Sequence, residues 1–196
     1  LGNDIDNLVE NYLDEMQEKR IIDFVSDFAF KLPVDVVCNV LGVPKKDRVL
    51  IRDWARQILG ALEPTLSDQQ FKDGCDAVDK FKSYLKDEIS FRRRFPKRNK
   101  EEEIMSSLIN AEKSGIALSE VELLHQCIFM LNAGHETSTN MLSHGLNEFI
   151  ENKNELWRIK KNINLIGTAV EEILRFQPPI QINNRRNKVE STLGGI

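Results

Sequence analysis

The sequence predicts a mainly α-helical fold with the start of a β segment at its C-terminus. Three observations predict it. Apolar residues recur at 3.6-residue spacing, glycine and proline punctuate the chain where helices should stop, and a capping box opens a run of about thirty residues without proline.

Taken in order, Ile5, Leu8, Val9, Tyr12, Leu13 and Met16 fall on one face of a first amphipathic helix. A second helical stretch runs from about Ser26 to Leu41, with Pro33 in or near its first turn, and Gly42 followed by Pro44 stops it. Ile51, Trp54, Ile58 and Leu62 mark a third segment, broken at Pro64, and a long polar-faced helix follows from about Ser67 to Arg93, ended by Pro96. Ser119, Glu120, Val121 and Glu122 match a capping box, in which the serine oxygen and the carboxylate three residues on satisfy each other's backbone donors. From Val121 to Ile150 there is no proline, so that helix can extend roughly 45 Å, enough to cross a domain. A short charged helix through Trp157 comes next, then one from about Ile163 to Phe176, closed by Pro178 and Pro179. Gln181 to Ile196 reads as extended and supplies the expected β segment.

Composition narrows the class. With 196 residues, 41% hydrophobic and 30% charged, the chain is neither a disordered acidic tail nor a membrane bundle, and its size suits one core. Lys plus Arg number 27 against 31 Asp plus Glu, which gives no global attraction to nucleic acid or to an anionic membrane. The single basic run, Arg92 to Lys100, is followed at once by Glu101, Glu102 and Glu103 and reads as a solvated, self-neutralised loop. Cys38, Cys75 and Cys127 form no C-x-x-C pair, so neither a disulfide framework nor a zinc ribbon is expected, and a reducing, cytoplasmic setting fits. No apolar run approaches the roughly 18 residues of a membrane span. Because Leu1 is not methionine and Ile196 follows Gly194 and Gly195, both ends are expected to be cut.

The middle of the long helix is where chemistry is expected. Ala133, Gly134, His135, Glu136, Thr137, Ser138 and Thr139 are unusual there, since glycine weakens a helix by about 1 kcal/mol and a threonine tends to bond back to the preceding turn. Phe129, Met130, Ala133, Gly134, Thr137 and Met141 lie broadly along one side, an apolar stripe with its bulk removed at the centre. Spacing alone allows two readings: another helix crosses here, or a flat group approaches the backbone. Glu136 beside Thr137 sets an acid next to an alcohol, a pair suited to passing protons. A zinc-protease motif is excluded, because the second histidine it needs would stand where Thr139 does. Glu172 and Arg175, at i and i+3 on the last helix, form a surface pair if exposed and a rigid clasp if buried.

In their order and separation these residues resemble the cytochrome P450 family, the haem-thiolate monooxygenases. Ala133-Gly134-His135-Glu136-Thr137-Ser138 is similar to the distal-helix motif, and Glu172-x-x-Arg175 to the Glu-x-x-Arg motif. Pro33 to Cys38 with Leu41-Gly42-Val43-Pro44, and Pro178-Pro179-Ile180-Gln181 with Arg185, resemble the bacterial-type members. The resemblance implies a central, mostly helical portion of that fold, residues 1–196 being a partial domain without the N-terminal sheet region and the C-terminal haem-cysteine loop. It implies haem b iron, Ala133 and Gly134 on its distal side, Glu136 and Thr137 in the proton relay, Glu172 and Arg175 as structural residues, and Arg185 at a haem propionate. It also implies a small organic substrate, O2, and electrons from NAD(P)H through a ferredoxin or flavoprotein. No cysteine here has the glycine two residues on that the axial loop requires: those positions are Val40, Ala77 and Phe129. The metal ligand is therefore expected outside this chain, and the fragment alone is expected to be inactive. A non-catalytic helical scaffold, and a peroxygenase or dehydratase on the same fold, are the alternatives.

Overall fold

A computed structural model describes residues 2–63, 65–96, 103–113, 118–182, 187–190 and 192, with Glu112 and Lys113 described by backbone alone. The described residues form α1 (Gly2–Gln17), α2 (Lys31–Leu41), α3 (Arg48–Gly60), α4 (Asp68–Arg94), α5 (Ile104–Lys113), α6 (Glu120–Glu151), α7 (Lys153–Lys161) and α8 (Ile166–Phe176). A π-helical turn, Val25–Ala29, leads into α2, and short 3-10 turns, Lys45–Asp47 and Ile163–Leu165, precede α3 and α8. Two compact units result, Leu1–Ser143 and His144–Ile196.

The first unit is built around one apolar core. Leu41, Ile51, Phe81, Ile109 and Leu131 have no exposed surface and bring together α2, α3, α4, α5 and the first part of α6. On α4, Ala77, Phe81, Leu85 and Ile89 recur every four residues, so a polar helix still presents a continuous buried ridge. Trp54 lies against Phe81 and Tyr84 with ring centroids 5.8 and 5.9 Å apart. A side chain at Gly74 would put its Cβ 2.3 Å from that of Ala61, so the glycine lets α4 approach the end of α3. A smaller cluster, Tyr12, Phe28 and Leu32, seats α1 on the π turn and α2.

The caps explain where helices begin and end. Ser67 and Gln70 exchange side-chain and backbone hydrogen bonds as a capping box for α4. Gly42 ends α2 in the left-handed region, φ 79°, and Val43 N–H donates to the Cys38 carbonyl at 2.8 Å. Arg92 Nη2 donates to the Gly42 carbonyl at 2.6 Å, and a Cβ on Gly42 would fall 2.3 Å from the Glu103 carboxylate and 2.7 Å from that guanidinium.

That contact corrects one expectation. Arg92 is not part of a solvated loop; it is buried at the end of α4, ion-paired with Glu103 at 3.4 Å and Glu88 at 3.8 Å, because its long stem crosses the core edge to reach a helix C-terminus. The remainder of the basic run, 97–100, lies outside the described residues. Helix α5 was not expected at all. Its signal was present in Ile104, Met105, Leu108 and Ile109, but the preceding glutamates favoured a loop reading, and Met105 and Ile109 are fully buried. Leu62 lies beyond α3 and is exposed. No strand occurs among the described residues; Gln181 and Ile182 have left the helix, and most of 183–196 lies outside them.

A buried ion network ties the first three helices. Asp35 of α2 accepts hydrogen bonds from Tyr12 of α1 and from Arg52 Nη2 of α3, the latter at 2.6 Å, and faces Arg48 Nη1 at 3.9 Å. Arg52 also donates to the Tyr12 hydroxyl at 3.0 Å and Arg48 to Asn39 Oδ1 at 2.5 Å. Burial, and then the hydrogen bond to Asp35, push the Tyr12 phenol well above its ordinary range, so it stays a neutral donor.

In the second unit, α8 packs on the end of α6 through Ile173. A Cβ on Gly145 would meet Ile173 Cδ1 at 3.1 Å, so this glycine allows the close approach.

Candidate functional site

The capping box of α6 forms as the sequence predicts: Glu122 N–H donates to Ser119 Oγ at 3.3 Å and Ser119 N–H to Glu122 Oε2 at 2.7 Å. The Ser119 hydroxyl, donating at 2.7 Å, and then the Ser119 N–H hold the Glu122 carboxyl below its usual range. The helix then runs unbroken for 32 residues. Three hydroxyls bond back one turn along it: Thr137 Oγ1 to the Ala133 carbonyl at 2.7 Å, Thr139 Oγ1 to that of His135 at 2.9 Å, and Ser143 Oγ to that of Thr139 at 2.8 Å.

The predicted stripe runs beside the buried face of α6, its own members being exposed or half-buried. Leu131, His135 and Thr139 are buried, whereas Phe129 is 65% exposed and Ala133 and Glu136 are exposed beside a half-buried Thr137. Gly134 belongs with the packed side. A side chain there would lie 2.8 Å from Val37 Cγ2 of α2, so the smallness of this residue is taken up by a helix contact. On the exposed side of the same turn an open notch lies at Ala133, between Phe129 and Thr137 at i−4 and i+4.

The model of the Cytochrome P450 family matches residues 48–166, which contain this turn of α6. The chain belongs to the cytochrome P450 family. The biotin biosynthesis cytochrome P450 of Bacillus subtilis is 33% identical over 188 residues, covering 96% of this chain and 46% of that protein. The polyketide biosynthesis cytochrome P450 PksS of the same organism is 32% identical over 192 residues, covering 97% and 45%. Among solved structures, that of CYP109E1 from Bacillus megaterium with testosterone gives a TM-score of 0.86 at 29% identity, covering 98% of this chain and 50% of that one. The chain thus spans about half the length of the curated relatives it matches.

The P450 family implies haem, and the exposed face of α6 fits a flat apolar group: a large apolar ring at Phe129, a methyl at Ala133 and a hydroxyl at Thr137, with no bulk between them. Iron ligation is another matter. Burial pushes the Cys38 thiol up to about 12 and the Cys127 thiol up to about 11, and both are inaccessible in the core. Cys75 is free and exposed on α4. The two buried thiols hold their protons, which a thiolate ligand must lose.

Glu172 and Arg175 meet in a two-pronged pair, both bonds 2.7 Å, with side chains 60% and 68% exposed. Hydrogen bonding to Arg175 holds the Glu172 carboxyl below its usual range. Glu172 also forms part of the wall of a cleft of about 410 Å³ with Phe149, Ile159, Ile173 and Phe176, all within the second unit. Arg185 lies outside the described residues. The sequence offers His135 only as a zinc ligand, a reading it excludes; in the structure His135 is buried, with neither ring nitrogen in a well-formed hydrogen bond.

Proposed function

We propose that this chain forms the oxygen-side portion of a haem-dependent monooxygenase, one that inserts one oxygen atom of O2 into a small organic substrate with reducing equivalents from NAD(P)H delivered by a ferredoxin or flavoprotein. The observation that carries the reading is the open face of α6, where Ala133 leaves a notch beside a hydroxyl and a carboxylate. When bound, haem supplies the activation of O2.

Ala133 and Phe129 line the face against which the haem and substrate lie. Thr137 holds its hydroxyl at the rim of that face through the 2.7 Å bond to the Ala133 carbonyl, leaving its oxygen lone pairs free to accept a proton donor. Glu136, exposed one step round the helix, exchanges protons with solvent and hands them to the Thr137 hydroxyl. Glu172 and Arg175 are the candidate structural pair, standing here as an exposed surface pair in which each holds the other's rotamer, and Arg185 is the candidate partner of a haem propionate. Gly134, whose missing side chain lets Val37 of α2 come close, is the candidate second small residue on the distal side of the haem beside Ala133. No helix among the described residues is long and apolar enough to cross a membrane, and the free thiols favour the cytoplasm.

Two results are expected. Glu136→Gln in the full-length, haem-loaded protein should slow turnover by about 10²-fold, the usual contribution of a positioned acid or base, and enlarge the solvent isotope effect. Turnover at the unaltered rate would remove Glu136 from the relay. The 196-residue chain, mixed with haem, reduced and exposed to carbon monoxide, should give no thiolate-type absorption band, because its two core thiols stay protonated and covered and the exposed Cys75 has Ala77 where the axial loop needs glycine. A thiolate-type band from this chain would show that one of its own cysteines binds iron.

A further inference from the structure

His135 is a buried titratable group for which the chemistry above has no use. It is 1% exposed, and neither ring nitrogen makes a well-formed hydrogen bond, the Phe30 backbone being the one polar group that favours its charged form. The imidazole meets the Phe30 ring edge-on, with centroids 4.4 Å apart and planes at 78°. Phe30 is the residue at which the π turn passes into α2, and its N–H donates to the Val25 carbonyl at 2.9 Å. An apolar ring would fill this space without stranding two polar nitrogens, so volume alone does not account for a histidine. Its neighbours in sequence are telling. Gly134 is pressed against Val37, Glu136 and Thr137 follow on the open side, and Thr139 Oγ1 donates to the His135 carbonyl. The ring therefore stands between the π turn with α2 and the turn of α6 that carries the relay.

We propose that His135 is a positioning residue: its neutral imidazole, seated on Phe30, fixes the rotation of the α6 turn that presents Glu136 and Thr137, and protonation unseats that turn. This inference rests on the relay reading above. The charge that reaches the ring is Arg52 of α3, itself paired with Asp35 of α2; the π turn presents uncharged Phe30, and its Asp27 is held by Lys19 at 2.5 Å. Burial disfavours the charged ring most strongly, the Phe30 backbone pulls the other way, and Arg52 adds to the burial, so that the pKa is pushed down to about 4. An unfolded histidine titrates near 6.5. The unfolded chain thus binds the proton first, and stability present above pH 6.5 is lost as the pH falls towards about 4, with no further loss below that from this group.

The test uses the full-length, haem-loaded protein, with the denaturant midpoint and the share of reducing equivalents released as peroxide measured from pH 7.5 to 4.5 for the natural sequence, His135→Phe, His135→Leu and Thr137→Ala. In the natural protein the midpoint should fall steadily below about pH 6.5, whereas the peroxide share should rise only at the acid end of the range, as the folded ring begins to take up its proton near pH 4. Both histidine variants should flatten both curves; the leucine variant keeps the comparison available where the larger phenylalanine does not fit. A flattened midpoint with an unaltered rise in peroxide would make His135 a residue of stability only and overturn the proposal. Unaltered slopes in both would overturn the seat itself. Thr137→Ala separates the two readings: peroxide no higher than in the natural protein at pH 7.5 refutes the relay, while the midpoint curves still report on His135.

Discussion

Asp35→Ala is expected to destabilise the protein by about 3–5 kcal/mol, read as a lowered denaturant midpoint at unchanged slope. The argument turns on what the substitution strands. Arg48 and Arg52 have side chains only 8% and 22% exposed, and both face the Asp35 carboxylate. Each guanidinium already has a buried Nε without a partner, so the network has no spare acceptor to offer once the carboxylate is gone. Tyr12 loses its acceptor as well, and α1 is held to α2 partly through that bond. The size of the effect comes from uncompensated buried charge more than from the lost attraction, which gives a second expectation. Replacing Asp35 and Arg52 together by leucine should recover part of the loss, because the pair is removed along with its desolvation. Strictly additive losses in that double variant would mean that the network acts through packing alone.

The same network shows what the sequence can and cannot convey. Helices α1, α3, α4 and α6 were legible because their apolar periods and caps are local, and so was the stop at Gly42. Pro33 to Cys38 was recognisable as a family phrase, yet the role of Asp35 within it was hidden, since its partners Tyr12 and Arg52 lie 23 and 17 residues away. Arg92 was misread for a related reason: a guanidinium in a basic run gives no sign that it will reach the Gly42 carbonyl 50 residues back. Within the candidate site, the order Ala133, Glu136, Thr137 was readable as a pattern. The close approach of α2 at Gly134 was not, because it depends on where Val37 lies. The seat of His135 on Phe30 was hidden too, since the two rings are brought together only by the packing of α6 against the start of α2.

Thr137→Ala carries the largest functional expectation. Alanine is the better helix former by a few tenths of a kcal/mol, so the substitution should not unfold α6, and it removes a half-buried hydroxyl whose recorded bond is to the backbone of its own turn. Coupled turnover should fall on the order of 10²-fold, the scale on which a positioned proton-transfer group acts. Thr137→Ser keeps the oxygen and should stay near the natural protein, whereas Thr137→Val keeps the shape without the oxygen and should behave like alanine. The decisive measurement is the fraction of consumed NAD(P)H that appears as peroxide in the full-length Thr137→Ala protein, taken on a sample whose carbon monoxide band and substrate affinity match those of the natural protein. The relay account predicts that peroxide becomes the major product; a peroxide fraction equal to that of the natural protein, with the band intact, would contradict it.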